Sequence, residues 1–260
     1  MRREIQFVPA LGFMTLMMKE IQRFLKVPLQ TVFAPMMTTL LFLAIFTLAF
    51  GGERGHDSGV PFSTFLAPGL IMMSVIQNAF ANTSSSLVIS KVQGNIVDVL
   101  MPPLSALELS LAFSLAGLAR GLVVAIAVAT CMFFFVDLTV RNWFAVLYFV
   151  VAAGMMLSLL GIIGGIISDK FDHMAAVTNF VIMPLSFLSG TFYSVERLDG
   201  IWYELSHLNP FFYMIDGFRW GFIGTGDSNI MTGALVVGLL DLALFAIVWF
   251  MFGRGFKLKA

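Results

Sequence analysis

Long apolar runs alternate with short polar connections along the whole chain. Six of these runs reach about 20 residues, the length at which a helix crosses the hydrocarbon core of a bilayer. They predict membrane-spanning helices at residues 29–50, 66–89, 109–136, 143–167, 173–193 and 231–252. Because the number of crossings is even, both termini are expected on the same side of the membrane.

The segment at residues 10–27, just before the first span, has a helical periodicity of its own. Its polar side chains recur at helical spacing, and they are Thr15, Lys19, Gln22, Arg23 and Lys26. Apolar side chains, among them Met14 and Ile21, line another face. This pattern is typical of an amphipathic helix that lies in the membrane interface. The residues also leave open a solvated basic flank of the first span.

Residues 92–101, which connect the second and third spans, contain a short amphipathic segment. Apolar positions alternate there with polar ones, namely Ile96, Val99 and Leu100 with Gln93, Asn95 and Asp98. Pro102 and Pro103 follow, where a helix cannot readily continue. We therefore expect a short surface helix that is able to press into a partner, and an ordinary connector is the alternative.

Residues 194–230 are too polar to span a membrane and too aromatic for a solvated linker. Such a density of aromatic rings is typical of the membrane interface. Asn209-Pro210 is a pattern that favours a helix start, and Asp216 and Arg219 share a helical face. We expect short re-entrant helices that dip into the outer leaflet before the last span.

Two ionisable side chains fall within predicted spans at similar depth. Arg120 lies about halfway along the third span, and Asp241 lies about halfway along the sixth. Because an intramembrane charge is normally paired or faces water, we expect an Arg120–Asp241 ion pair. The alternative is that Arg120 contacts an anionic substrate. Other polar residues in the spans, such as Asn78 and Asn82, favour helix packing over a substrate path.

The composition agrees with a protein whose solvent is lipid. Of 260 residues, 59% are hydrophobic and only 12% are charged, and the mean hydropathy is +0.93. Ordinary soluble domains carry about 25% charged residues. The 15 Lys and Arg balance the 15 Asp and Glu without a basic tract, which argues against nucleic acid as a partner. The sequence thus predicts one all-α integral membrane domain over residues 1–260.

The distribution of basic residues predicts the orientation, because cytoplasmic connections carry the excess of Lys and Arg. If the N-terminus is inside, ten basic residues lie inside, four lie outside and Arg120 lies within a helix. Those inside are Arg2, Arg3, Lys19, Arg23, Lys26, Lys91, Lys170, Arg254, Lys257 and Lys259. Both termini are therefore predicted to be cytoplasmic.

The sequence lacks the residues that several kinds of functional site require. A phosphate-binding P-loop needs a Gly directly before its Lys, and none of the six lysines follows a glycine. The single cysteine, Cys131, excludes an internal disulfide and multi-cysteine metal sites. We predict no catalytic residue, no metal site and no cofactor in this chain, which is therefore not expected to be an enzyme. No internal repeat supports a self-powered secondary transporter.

Four stretches of the sequence resemble the ABC-2 class of ABC-transporter permease subunits, the bacterial inner-membrane exporters of polysaccharides and drugs. The resemblance covers nearly the whole chain. It is carried by Met183 to Tyr193, by Leu205 to Arg219, by Pro68 to Ile76 and by Gln93 to Leu100.

The resemblance implies an architecture that agrees with the pattern described above. It implies six spans, an interfacial helix, a coupling helix at residues 92–101 and re-entrant helices before the sixth span. It also implies that two permease chains, as a homodimer in the bilayer, form the pathway. Two separate ATPase subunits would bind ATP and Mg²⁺ and drive export from the cytoplasm.

The same resemblance assigns roles to individual residues. The ATPase would contact the chain at Lys19, Glu20, Arg23, Gly94, Asn95, Ile96 and Asp98. The outer segment would act as a gate through Pro184, Ser189, Gly190, Phe192, Asn209, Pro210, Asp216 and Arg219. The substrate class stays open between drug, lipid and polysaccharide. The rival functions are a proton-coupled exporter and a non-transporting membrane assembly subunit.

Overall fold

The computed structural model describes residues 11–54 and 60–257. Within these ranges the protein is all α-helical and contains no strand, so the predicted fold class is confirmed. Residue 10, at which the predicted interfacial helix begins, lies outside the described residues. So do Arg2, Arg3 and Lys259, which contributed to the predicted orientation.

The helices follow one another along the chain with short connections. The first is α1 at Leu11–Leu25, and a π-helical turn at Leu29–Phe33 leads into α2 at Ala34–Arg54. Next come α3 at Phe62–Val92, α4 at Ile96–Leu100, α5 at Ala106–Met132 and α6 at Trp143–Ile167. They are followed by α7 at Phe171–Val177, a π-helical turn at Thr178–Ile182 and α8 at Met183–Leu188. A 3₁₀ turn at Val195–Arg197 precedes α9 at Ile201–Leu208, α10 at Pro210–Ile223 and α11 at Ile230–Arg254.

Six helical stretches in the described part of the chain are long and apolar enough to cross a membrane, which confirms the predicted number. They are Leu29–Phe50, Phe62–Val92, Ala106–Met132, Trp143–Ile167, Phe171–Leu188 and Ile230–Arg254. We number them as the first to sixth spans.

The observed bounds differ from the predicted ones where apolar residues lie in turns. The third span ends at Met132 rather than at residue 136, and Phe133 to Phe135 form an exposed turn. The fifth span ends at Leu188 rather than at residue 193. Hydropathy does not separate these turns from helix, because an aromatic turn in the interface is as apolar as a span. The connection between α3 and α5 holds a helix shorter than predicted, because α3 itself continues through Val92.

The second span, α3, is the central helix of the bundle. Its side chains are buried along most of its length, and it packs on α5, α6, α2 and α10. Small residues allow the close approach to α6. A Cβ atom at Gly161 would lie 2.6 Å from the carbonyl oxygen of Phe80, and Thr83 donates to the carbonyl oxygen of Ser158 at 2.8 Å. Small and hydroxyl-bearing residues therefore pack these helices, as the sequence indicates.

A proline follows each π-helical turn after one intervening residue. Pro35 lies two residues after the turn at Leu29–Phe33, and Pro184 lies two residues after the turn at Thr178–Ile182. A proline has no N–H to donate to the carbonyl four residues earlier, and in each case that carbonyl belongs to the π turn. The missing hydrogen bond accounts for the local change of helical pitch in the first and fifth spans.

The two ends of the bundle are distinguished by the helices that lie across them. α4 lies at one end, between the C-terminus of α3 and the N-terminus of α5. α10 lies at the other end, because Asn209 at its start contacts the end of the fifth span and Gly221 accepts hydrogen bonds from Arg141 and Asn142. Both termini of α10 thus meet the same end of the bundle, and α10 does not cross it. We call these the α4 end and the α10 end.

Candidate functional site

The connection at the α4 end is a short helix held by two apolar anchors. Ile96 and Val99 are each 5% exposed and pack into a cluster that contains Leu16 of α1 and Phe113 of α5. Gly94 has a φ of +73°, which allows the backbone to turn between α3 and α4. The buried face of α4 is therefore part of the apolar core at this end of the bundle.

The opposite face of α4 is open. Gly94, Asn95 and Asp98 are exposed, and Val97 and Met101 are exposed apolar residues beside them. Ile96, which the resemblance assigns to the ATPase contact, is an exception because its side chain is an anchor into the bundle. An apolar and polar surface on a rigidly anchored helix is suited to bind another protein.

A lysine at the C-terminus of α3 closes the end of α6. Lys91 Nζ donates to the carbonyl oxygens of Ile166 at 2.9 Å and Ser168 at 2.7 Å. It also lies 3.1 Å from Asp169 Oδ1, and the hydrogen bond from Lys91 lowers the pKa of Asp169 below its ordinary value. A cation here compensates the unpaired carbonyls and the dipole at the C-terminus of α6.

The face of α1 that packs on the bundle carries both apolar and charged side chains. Leu16, Glu20 and Phe24 are buried against the bundle, whereas Met14 is exposed. The Glu20 side chain is 2% exposed and pairs with Arg23, Nε to Oε2, at 3.1 Å.

The ATPase contacts assigned to Lys19, Glu20 and Arg23 stay predictions, and the structure gives these three side chains different surroundings. Arg23 donates through Nη2 to the Asn82 Oδ1 atom at 3.0 Å and to its carbonyl oxygen at 2.7 Å. Lys19 alone of the three predicted contacts has an exposed side chain. Glu20 and Arg23 join α1 to α3, because a buried carboxylate needs its cationic partner within hydrogen-bonding distance.

At the α10 end, the start of α10 is fastened to the end of the fifth span. Asn209 caps α10 by accepting from the backbone N–H of Phe211, and Pro210 follows at the first helical position. Asn209 Nδ2 donates to the carbonyl oxygen of Leu185 at 2.8 Å and to Ser189 Oγ at 2.7 Å. Ser189, Asn209 and Pro210 are therefore brought together.

Arg219 joins the same junction from the middle of α10. It is 3% exposed and donates from Nη2 to the carbonyl oxygen of Gly190 at 2.6 Å and from Nε to that of Phe65 at 3.2 Å. Its guanidinium carbon lies 3.9 Å from the centre of the Phe65 ring, a cation–π contact. Gly69 is small by necessity, because a Cβ atom there would lie 2.7 Å from the carbonyl oxygen of Thr191.

Asp216 fixes the loop between α10 and α11. It accepts from the backbone N–H groups of Asp227 at 2.8 Å and Ser228 at 2.9 Å, and from the Ser228 hydroxyl at 2.6 Å. Burial raises the pKa of Asp216, and these hydrogen bonds oppose that rise. Asp227 in turn accepts from Val195 N at 2.6 Å, which ties this loop to the turn after the fifth span. Asp216 and Arg219 share a face of α10, but their hydrogen bonds go to different partners.

Aromatic rings connect this junction to the first span. Phe192 stacks on Phe46 with 4.4 Å between ring centroids and also contacts Phe42 and Phe187. Pro184 is the second residue of α8, and no hydrogen bond among the described residues joins it to the junction. A cavity of about 460 Å³ opens beside these residues, and Phe65, Tyr193 and Arg219 are among those that line it.

The predicted Arg120–Asp241 ion pair is wrong. The described residues form ion pairs at Arg23–Glu20 and Lys91–Asp169, but none at Arg120 or Asp241. Arg120 Nη2 donates instead to Asn78 Oδ1 at 3.0 Å, and Asp241 Oδ1 is buried without a hydrogen-bond partner. Equal depth in two helices does not make contact when the side chains leave their helices in different directions.

Comparison with known proteins decides the family. The model of the ABC-2 type transporter family matches residues 12–223, which are most of the chain. This chain belongs to the ABC-2 type transporter family. The chain is 39% identical over 242 residues to the inner membrane transport permease YadH of Escherichia coli strain K12. That match covers 93% of this chain and 94% of YadH.

A more distant relative is also similar along most of the chain. Nodulation protein J of Neorhizobium galegae is 25% identical over 203 residues, which cover 71% of this chain and 72% of that protein. The YadH match and the six apolar spans together make this ABC-2 permease a multi-pass inner-membrane protein.

Sequence reasoning did not find several residues that organise this ABC-2 permease. Lys91 was counted only for its charge, and Asp227 and Gly69 were assigned no separate role. A signal existed for Lys91, because basic residues at a helix end stabilise exposed carbonyls. Its partner is a neighbouring helix, however, and only the fold brings the two together.

Proposed function

We propose that this chain is the membrane-spanning subunit of an ATP-driven exporter, coupled to a separate ATPase subunit through α4. The single observation that carries the proposal is the construction of α4, because one face is anchored and the other is open. The family membership supports it, and so does the absence of a Gly-Lys pair for phosphate binding in the sequence.

The anchoring allows α4 to work as a lever. Ile96 and Val99 belong to one buried cluster with residues of α1, α3 and α5, so a push on the exposed face is transmitted to these helices through the cluster. The capping box at Ser105 and Glu108 starts α5, and its N-cap residue, Ser105, lies two residues after Pro103. The connection between α4 and the third span is therefore short and ordered. ATP-driven movement of the partner changes the relative stability of two packed arrangements of the bundle.

The α4 end faces the cytoplasm in this proposal, and both termini lie on that side. The ATPase acts where ATP is present, so the surface that it contacts is cytoplasmic. The excess of basic residues on that side agrees with this orientation. The α10 end then faces outward, and its junction of Asn209, Ser189, Gly190 and Arg219 forms the outer closure of the pathway.

The pathway forms between two copies of the chain. The first and fifth spans bury little of their surface within one copy, and exposed apolar side chains on them include Met37, Leu41, Leu48, Phe180 and Val181. These faces contact lipid in the monomer, and the second copy covers part of them in the homodimer.

Affinity purification with a charge reversal on α4 tests the coupling. Asp98 is exposed on α4, and Asp137 is an equally exposed aspartate in the connection between α5 and α6. Tagged wild-type chain and the Asp137→Arg variant should each co-purify with a P-loop ATPase subunit, and both eluates should hydrolyse ATP. The Asp98→Arg variant should lose the partner while remaining folded.

Other outcomes of this purification favour the rival functions. A clean homo-oligomer without an ATPase would contradict the proposal. Export driven by a pH gradient in vesicles without ATP would then support a proton-coupled exporter. A stable complex with membrane proteins and no transport activity would support an assembly subunit.

A further inference from the structure

Two arginines from different helices meet on successive turns of α3. Arg23 of α1 binds Asn82 Oδ1 at 3.0 Å, and Arg120 of α5 binds Asn78 Oδ1, also at 3.0 Å. Asn78 and Asn82 are four residues apart, which is about 6 Å along a helix. The two guanidinium groups therefore lie at neighbouring levels of the bundle, one helical turn apart.

Arg23, Arg120, Asn78, Asn82 and Glu20 form a polar cluster inside the bundle, and its positive charge exceeds its negative charge. Glu20 pairs with Arg23, but no described carboxylate lies within ion-pair distance of Arg120. Charges inside a membrane protein are normally paired, so the cluster has one positive charge left without its counterpart.

Two buried N–H donors without a partner are an independent indication that an anion is missing from this cluster. Asn82 is 1% exposed, and its Nδ2 atom has no hydrogen-bond partner. The Nε atom of Arg120 is likewise buried and unpaired. Both atoms are N–H donors, so only an acceptor is able to satisfy them, and leaving a buried donor unpaired is costly. An oxyanion would supply both the acceptors and the missing negative charge.

Arg23 also faces the surface. Its side chain is 29% exposed, and it lies on an open face of α1 beside Met14, Met18, Lys19 and Lys26. This face combines apolar side chains with cations, which suits a molecule that has an apolar part and an anionic group.

We propose that Arg23, Arg120 and the amide of Asn82 bind the phosphate-type oxyanion of an amphipathic substrate. This inference deepens the proposed export function and rests on it, because binding becomes useful when the chain moves the bound molecule. The substrate reaches the site along the exposed face of α1, from the leaflet in which α1 lies.

Binding to the purified chain in a neutral detergent tests this site without any ATPase. The probe is dioctanoyl phosphatidic acid, and dioctanoylglycerol is its uncharged control. Thermal unfolding is followed as each lipid is titrated. Phosphatidic acid should raise the unfolding temperature of the wild-type chain, and dioctanoylglycerol should not. The Arg23→Gln, Arg120→Gln double variant should bind phosphatidic acid at least about tenfold more weakly, because it loses both charge-assisted contacts.

Matched variants separate the site from a general effect of charge. Arg254→Gln removes an exposed arginine at the same end of the bundle and should leave the titration unchanged. If the double variant does not purify as a folded protein, Arg120→Lys keeps the charge but not the planar fork, and it should bind with intermediate affinity.

Two results would overturn the inference. Equal shifts in the wild-type chain and in the folded Gln variants would mean that water satisfies the unpaired donors. Competition by inorganic pyrophosphate at the affinity of the lipid would mean that the apolar part of the ligand is irrelevant. Because the assay contains no ATPase, a failure here leaves the coupling through α4 intact, and a failure of that coupling leaves this binding measurable.

Discussion

Asn209 donates its side-chain amide to Ser189 Oγ at 2.7 Å and so joins the start of α10 to the end of the fifth span. The same side chain caps α10 and donates to the carbonyl oxygen of Leu185. One buried amide thus holds together two segments that are 20 residues apart in the chain.

Asn209→Ala should therefore destabilise the protein by about 2–4 kcal/mol, because a helix cap and two buried hydrogen bonds are lost together. Asn229 caps α11 by accepting from Met231 and Thr232, and it is exposed. Asn229→Ala is therefore the matched control and should cost only about 1 kcal/mol. Thermal unfolding in detergent measures both, and equal losses would contradict the role given to Asn209.

The close contact between α3 and α6 predicts that the stability of the protein depends strongly on the size of residue 161. Gly161→Ala would place a Cβ atom 2.6 Å from the carbonyl oxygen of Phe80, and backbone is not able to yield as a side chain would. We expect a loss of about 1–3 kcal/mol from overpacking. Gly253→Ala, where the nearest atom would be 3.8 Å away, should be tolerated. Unfolding temperatures that fall equally for both variants would argue against this packing.

The contact between Lys91 and Asp169 predicts a pH dependence at the α4 end. The hydrogen bond from Lys91 lowers the pKa of Asp169, so the folded state binds a proton there less readily than the unfolded state. The stabilising effect is present above the ordinary pKa of about 4 and is lost as the pH falls below it.

Unfolding temperatures measured from pH 7 to pH 3 should show this loss in the wild-type chain. In the Asp169→Asn variant, the part of the decline that begins near pH 4 should be smaller, since the titrating group is gone. The comparison is between the shapes of the two curves. Curves that run parallel over the whole range would show that this pair does not contribute.

Arg120 and Asp241 should behave as independent residues in a double-mutant cycle. They make no ion pair, so the coupling between Arg120→Gln and Asp241→Asn is expected to be below about 0.5 kcal/mol. Arg120→Gln and Asn78→Ala should show a larger coupling, because their side chains are hydrogen-bonded. A strong coupling between the two charged residues would restore the ion pair.

Much of the fold follows from the sequence because the bilayer requires long apolar helices. The number of spans and the short helices between the fifth and sixth spans were predictable from hydropathy and from Asn209-Pro210. The direction of side chains was not. Glu20 is buried, and Arg23, on the predicted polar face, reaches α3 while staying partly exposed, because α5 and α3 determine which surface of α1 packs on the bundle.

The candidate site was predictable only in pieces. The resemblance named Ser189, Gly190, Asn209 and Arg219 without stating what joins them. Their meeting point includes Gly69, whose missing side chain gives the turn its room. Contacts of this kind combine positions more than 100 residues apart, as in the hydrogen bond from Arg219 to Phe65, and no local pattern encodes them.

Photo-crosslinking from the exposed face of α4 tests the central claim most directly. A photo-reactive residue at Val97, which is 51% exposed, reports what touches α4 in native membranes. The same residue at Asp137, at the other end of the bundle, is the control. We predict a covalent adduct with a P-loop ATPase subunit from position 97 and none from position 137. No ATPase adduct from position 97, in membranes where the chain is folded and active in export, would contradict the account.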